Sequence, residues 1–207
     1  MPSFYSEKTA EYALVPAFLE ILNSLGKVAP IYFWKTREGN QISQSLHASD
    51  QVQVVAFFAR RPKIYNSNDE IIEGKINSSL YKFSEQAAQF NIPVFCGLPI
   101  TTNIFELNRP ECLWFHIDPK SEKKDNIFYF DLENKLLDFP YSANKPVSLS
   151  KNEIIEIVGK TSIEMSWFDA IEIMNQLYRK SDDGNRLTPW FFRNWHYKPL
   201  YFLIKAE

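Results

Sequence analysis

At 207 residues, with 45% apolar and 23% charged side chains, the chain has the composition of a folded globular protein, which excludes the low-complexity and intrinsically disordered classes. A net charge of −2 is too small to mark a nucleic-acid or membrane binder by electrostatics alone, and no run approaches the ~18 apolar residues of a membrane helix. Two cysteines, Cys96 and Cys112, each within an apolar run and with no CxxC or Cys/His cluster nearby, give neither a zinc site nor a disulfide framework.

The elements follow in chain order. Leu14, Val15, Phe18, Leu22 and Leu25 recur at three- and four-residue steps and predict a helix over 9–25, with Gly26 as its C-terminal cap. Pro16 suits a first turn better than a helix interior, so the regular part is expected to start near Val15. The short apolar runs Ala29–Trp34 and Val52–Ala59 read as buried strands, separated by a polar stretch that forms a loop or short helix. Ile72, Ile76, Leu80, Phe83, Ala87 and Phe90 keep helical spacing, and Pro93 closes that helix and opens a third strand, PVFCGLPI. Asn103 and Glu106 stand at capping-box spacing for a short helix.

Cys112–Ile117 and Asn126–Leu132 flank eight polar residues, which predicts an antiparallel pair. Ser150 with Glu153 and Ser166 with Asp169 are two further capping pairs, each before an amphipathic helix. The second helix should turn Trp167, Ile171, Met174 and Tyr178 inward. A last strand is expected at Leu200–Ile204. The sum is a single α/β domain over 1–207, with a mixed sheet of about five or six strands, helices on both faces and a C-terminal α-hairpin. Residues 149–207 are the part that could stand as a helical annex with a returning strand.

Three segments carry candidate chemistry. The first is the set of strand exits: Lys35 and Arg37, then Arg60, Arg61 and Lys63, then Thr101 and Thr102 at a helix start. In open α/β sheets ligands gather beyond the carboxyl ends of the strands. If the three strands run in parallel, five cations and a helix N-terminus share one crevice suited to a phosphate. The ordinary alternative is that these charges mark where each strand leaves for water.

The second segment is HIDPKSEKKDNIFYFDLENK. If its two strands pair, Asp118 stands beside Glu133 and Lys135, two carboxylates for Mg²⁺ and a lysine to polarise water or phosphate. This spacing resembles the Asp, then Glu-x-Lys pattern of restriction-type nucleases. The resemblance implies a metal-dependent phosphodiesterase, with Glu11 or Glu20 standing in for a helix glutamate.

The third is 186–205, where Trp190, Arg193, Trp195 and Tyr197 lie in a series of rings and cations that no acid interrupts. Such a series completes a core, binds a protein partner or stacks nucleic-acid bases. Charge is unevenly spread: 9 basic and 9 acidic residues over 1–100, 8 and 13 over 101–178, and 6 and 3 over 179–207.

No Gly-x-Ser-x-Gly elbow or activated cysteine is present, so nucleophilic catalysis has no support. The expectation is a non-catalytic interaction subunit of a larger intracellular assembly, with a protein partner, and with a nucleotide or nucleic-acid phosphate at the strand ends. It needs no cofactor; Mg²⁺ enters only with the nuclease alternative. The first residues, MPSFYSEKTAEYALVP, have neither a basic start nor a long apolar stretch, so no signal peptide is expected and cytoplasm is the expected compartment.

Overall fold

The computed structural model describes residues 6–31, 34–36, 39–41, 50–64, 71–101, 106–108, 110–140, 145–183 and 199–205. Helix α1 (Glu7–Leu22) starts earlier than expected and runs straight through Pro16. Ser6 caps it by accepting the Thr9 N–H at 3.1 Å. Pro16 is tolerated because it lies on the exposed side, where water can satisfy the carbonyl that loses its donor. The cap at the far end is Asn23, and Gly26 with φ 149° makes the turn into the sheet.

The run expected as one strand over Ala29–Trp34 divides. β1 (Lys27–Ile31) ends before it, and Trp34 opens a small hairpin, β2 (Trp34–Thr36) with β3 (Gly39–Gln41). β4 (Gln51–Ala59) and β7 (Val94–Pro99) occupy their expected places. Between them lie β5 (Lys63–Ile64), β6 (Ile71–Ile76) and α2 (Ser78–Ala88). The helix read from Ile72 therefore begins only at Ser78. Ile72 and Ile76 fit a helical step, yet Ile72, Gly74 and Ile76 are buried alternately. Three isoleucines with a glycine favour extended chain over helix.

The remaining elements are β8 (Cys112–His116), β9 (Asn126–Asp131), β10 (Leu136–Asp138), α3 (Lys151–Thr161), β11 (Met165–Ser166), α4 (Trp167–Asp183) and β12 (Leu200–Lys205). Six strands form the main sheet in the order β1-β12-β4-β7-β8, with β11 beside the start of β4. β4 and β7 are parallel and the other pairs antiparallel, so the sheet is mixed. A second, antiparallel sheet runs β10-β9-β6-β5. β8 and β9 are thus not the hairpin expected: β8 pairs with β7, whereas β9 pairs with β6 and β10. Leu113, Trp114 and Phe115 are buried in succession, which fits a strand covered on both faces. β9 alternates and is covered on one.

Two cores result. On one face of the main sheet α1 and α3 cover Val55, Phe57, Phe95, Trp114 and Phe202. Phe18 of α1 is the hub, stacked 4.7 Å from Phe57 and within 5.6 Å of Phe95, Trp114 and Phe202. On the other face α2, α4 and the inner side of the second sheet cover Val54, Ala56, Phe58, Cys96 and Phe115. The two C-terminal helices are present, joined through 162–166, and divide between the two faces. Both capping pairs form: Ser150 with Glu153, and Ser166 with Asp169. α4 buries Trp167, Ala170, Met174 and Leu177, with Ile171 half-buried beside them.

Candidate functional site

β1 is antiparallel to β12, and β12 is antiparallel to β4, so β1, β4 and β7 all point the same way. The register aligns Ile31 with Tyr201, Tyr201 with Ala56, and Ala59 with Gly97. The three strands end on one rim, which is the geometry the sequence reading required. α1 returns toward that rim, because Ala10 in its first turns packs against Leu107 beyond β7. The positive end of the α1 dipole lies on this side of the molecule.

The side chains on the rim fall into two kinds. Arg60 is 4% exposed; its backbone N–H donates to Gly97 at 2.8 Å, and its guanidinium carbon lies 5.9 Å from the centre of the Phe58 ring. It closes the end of the parallel pair rather than reaching into water. Arg61 and Lys63 are exposed. Lys63 stands opposite Glu73 in the β5–β6 register, so part of its field is offset. Thr101 is buried and donates its hydroxyl to Glu106 Oε2 at 2.6 Å, which commits that proton to a carboxylate. Lys35 lies in β2, opposite Asn40. Arg37, Thr102, Trp190, Arg193, Trp195 and Tyr197 lie outside the described residues.

Glu106 and Glu111 were not anticipated here. Glu111 is bound by Lys135 at 2.9 Å. The rim therefore carries both signs. For Glu106 the five-residue spacing from Thr101 gave a faint signal; for Glu111 there was none, because its partner comes from the second sheet.

Asp118, Glu133 and Lys135 are not brought together. Lys135 meets Glu111, just before β8, whereas Asp118 follows the other end of that strand. At ~3.3 Å per residue the two ends are separated by about 20 Å. Asp118 accepts the Lys120 N–H at 2.9 Å, and Glu133 sits exposed in the β9–β10 turn. One ion cannot bind both carboxylates, since magnesium sits about 2.1 Å from each ligand oxygen. Among the described residues no three His, Cys, Asp or Glu side chains form a metal-sized group.

Family models, curated proteins and solved structures were all compared with the chain. None matches.

Two titratable groups near the rim strands complete the chemistry. The Cys112 thiol is pushed up to about 12, by burial first and by Glu111 second, and its Sγ–H donates to the Pro110 carbonyl at 3.1 Å. It is protonated at neutral pH and a poor nucleophile. Burial holds the His116 imidazole below its ordinary value, partly offset by Asp118. No helix among the described residues is long and apolar enough to cross a membrane.

Proposed function

We propose that the chain is a non-catalytic interaction subunit of an intracellular assembly, and that it engages a phosphate-bearing partner at the rim where β1, β4 and β7 end. The observation that supports the reading is the shared direction of those three strands, with Arg61 and Lys63 exposed beyond β4 and the positive end of α1 on the same side. Glu106 and Glu111 favour a partner that also offers cations, such as a protein or a nucleotide–protein complex, over a bare polyanion. Arg61 is the recognition residue to test; Arg60, buried against the sheet, serves stability instead.

The test is calorimetric titration with tripolyphosphate and, separately, with a short single-stranded oligonucleotide. A charge-assisted contact is worth about 1.5–3 kcal/mol, so Arg61→Glu should weaken binding by at least about tenfold. Lys151→Glu makes the same charge change on α3, where the lysine pairs with Glu20, and should alter affinity by no more than about twofold. Equal losses in both variants would show only a diffuse field effect and would sink the rim assignment. Isolation of the chain with its native partners, followed by mass spectrometry, identifies the assembly.

A further inference from the structure

The second sheet has one face in the core and one that neither core uses. Ile72, Gly74, Ile76, Phe128 and Phe130 point inward. On the other face the register sets Lys63, Glu73, Tyr129 and Asp138 in one row across the four strands. The next row holds Ile71, Asp131 and Leu136. Leu136 is 65% exposed, and Lys63 and Asp138 are exposed as well. Ile127 and Tyr129 are half-buried beside them. β5 and β10, the two edges, are only two and three residues long, too short to recruit a partner strand. An occupant must pack on the face.

We infer that this outer face is an interface between two copies of the chain. Its charges are arranged to match themselves. The β5–β6 half carries Lys63 and Lys75 with one acid, Glu73, whereas the β9–β10 half carries the acids Asp131 and Asp138. Two of these are already engaged: Lys75 pairs with Asp125 at 2.6 Å, and Asp131 accepts the N–H groups of Glu133 and Asn134 in its turn. Lys63 and Asp138 are left at opposite edges of one row. A two-fold axis in the interface plane, parallel to the strands, lays β5 of one copy over β10 of the other. It brings Lys63 of each copy to Asp138 of its mate, twice, around an apolar strip of Ile127, Tyr129 and Leu136. The same rotation sets Glu73 opposite the mate's Tyr129. Two such sheets pack about 10 Å apart with their strands within about 30° of each other.

The face is about 15–20 Å on a side, given strands ~4.8 Å apart and ~3.3 Å per residue. That is about 225–400 Å² per copy, below the ~800 Å² per partner of a standard specific interface, so the association is weak and transient, with Kd in the high micromolar range. Lys63 is common to this face and the rim, whereas Tyr129, Leu136 and Asp138 belong to this face alone, and the association needs no ligand at the rim.

Sedimentation equilibrium from about 1 µM to about 1 mM tests it directly. The wild-type mass should climb from 24.3 kDa toward twice that value across the series. Leu136→Asp, at a position 65% exposed, should weaken association at least tenfold, and Leu136→Ala, which adds no charge opposite Asp131, should weaken it several-fold. Lys63→Glu and Asp138→Lys should each weaken it several-fold, and the double variant should recover most of the loss. Circular dichroism checks that each variant remains folded, since Lys63→Glu also faces Glu73. A wild-type mass fixed at 24.3 kDa throughout overturns the inference, as does a double variant no better than its parents. Association that survives Leu136→Asp unchanged overturns it too, because the copies would then meet elsewhere.

Discussion

Both sheets contain strongly apolar stretches but use them differently. In β4 every residue from Val54 to Ala59 is buried, since helices cover one face and helices plus the second sheet cover the other. In β9 burial alternates strictly, with Asn126, Phe128 and Phe130 inward and Ile127, Tyr129 and Asp131 half-exposed. A strand in the middle layer gains from every side chain it carries; one in an outer layer gains from every second. Neighbouring residues should therefore be nearly equivalent in one sheet and sharply unequal in the other.

Truncation makes the sharpest version of that contrast. Phe57 and Phe58 are adjacent in β4, fully or almost fully buried on opposite faces, and each replacement by alanine should cost about 3–5 kcal/mol. Phe128 and Tyr129 are adjacent in β9. Phe128→Ala should cost a similar amount, because its ring packs 5.0 Å from Phe115 and 5.4 Å from Phe139. Tyr129→Ala should cost about 1 kcal/mol or less, as befits a half-buried position. Urea denaturation at low protein concentration measures all four, and a Tyr129 loss equal to that of Phe128 would break the comparison.

Much of the main sheet was legible in the sequence for the same reason: the dense apolar runs at 54–59, 94–99 and 112–115 have few other uses. The shared rim rested on an assumed parallel order of the three strands, which no residue within them specifies. The outer sheet was hard to read. In NIFYFD the outward residues are Ile127 and Tyr129, so the alternation is hidden under uniform hydrophobicity. In β6 the buried pair Ile72 and Ile76 is spaced four apart, which suits a helix as well as a strand. The pairing of β8 and β9 was lost with these, and the grouping of Asp118, Glu133 and Lys135 depended on it. The separate fates of Arg60 and Arg61 were invisible too: two adjacent arginines look alike until the parallel pair decides which one it covers.

Glycines offer an intermediate test, because each sheet sets one beneath a ring. A Cβ on Gly97 would lie 2.6 Å from Trp114 and 2.9 Å from Phe57, and one on Gly74 would lie 2.1 Å from Phe128. Neither ring can withdraw freely, since each is held by other aromatics, so Gly97→Ala and Gly74→Ala should each cost about 1–3 kcal/mol. Gly159, in α3, has nothing within 4 Å of its Cβ position. There alanine should stabilise by about 0.5–1 kcal/mol through helix propensity. Thermal melts order the three. A neutral Gly97→Ala would mean that the aromatic core yields more readily than its ring contacts suggest.

The smallest expected effect lies where the two layers are joined. Asn77 makes no side-chain cap for α2; Asp125, at the entry to β9, accepts the Ser78 N–H at 2.7 Å instead and pairs with Lys75 at 2.6 Å. Hydrogen bonds from Lys75 first, and then from the Ser78 backbone, hold its carboxyl below the ordinary 3.8. A depressed folded value means the contribution is fully present above the unfolded value and is lost as pH falls through the folded one. At neutral pH Asp125→Ala should therefore cost about 1 kcal/mol, in line with a helix cap, since the half-exposed lysine pair adds little. Asp125→Asn keeps an acceptor for Ser78 and should cost less. As pH falls below the ordinary 3.8 and through the depressed folded value, wild type and Asp125→Ala should converge, because the wild-type carboxyl protonates. Hydrogen exchange in Asp125→Ala should quicken in α2 and β9 while β4 stays protected, because a tether between an outer sheet and its helix loosens the outer layer first. Uniform acceleration across both sheets would instead show that they open as one unit, and that the difference between them is one of burial alone.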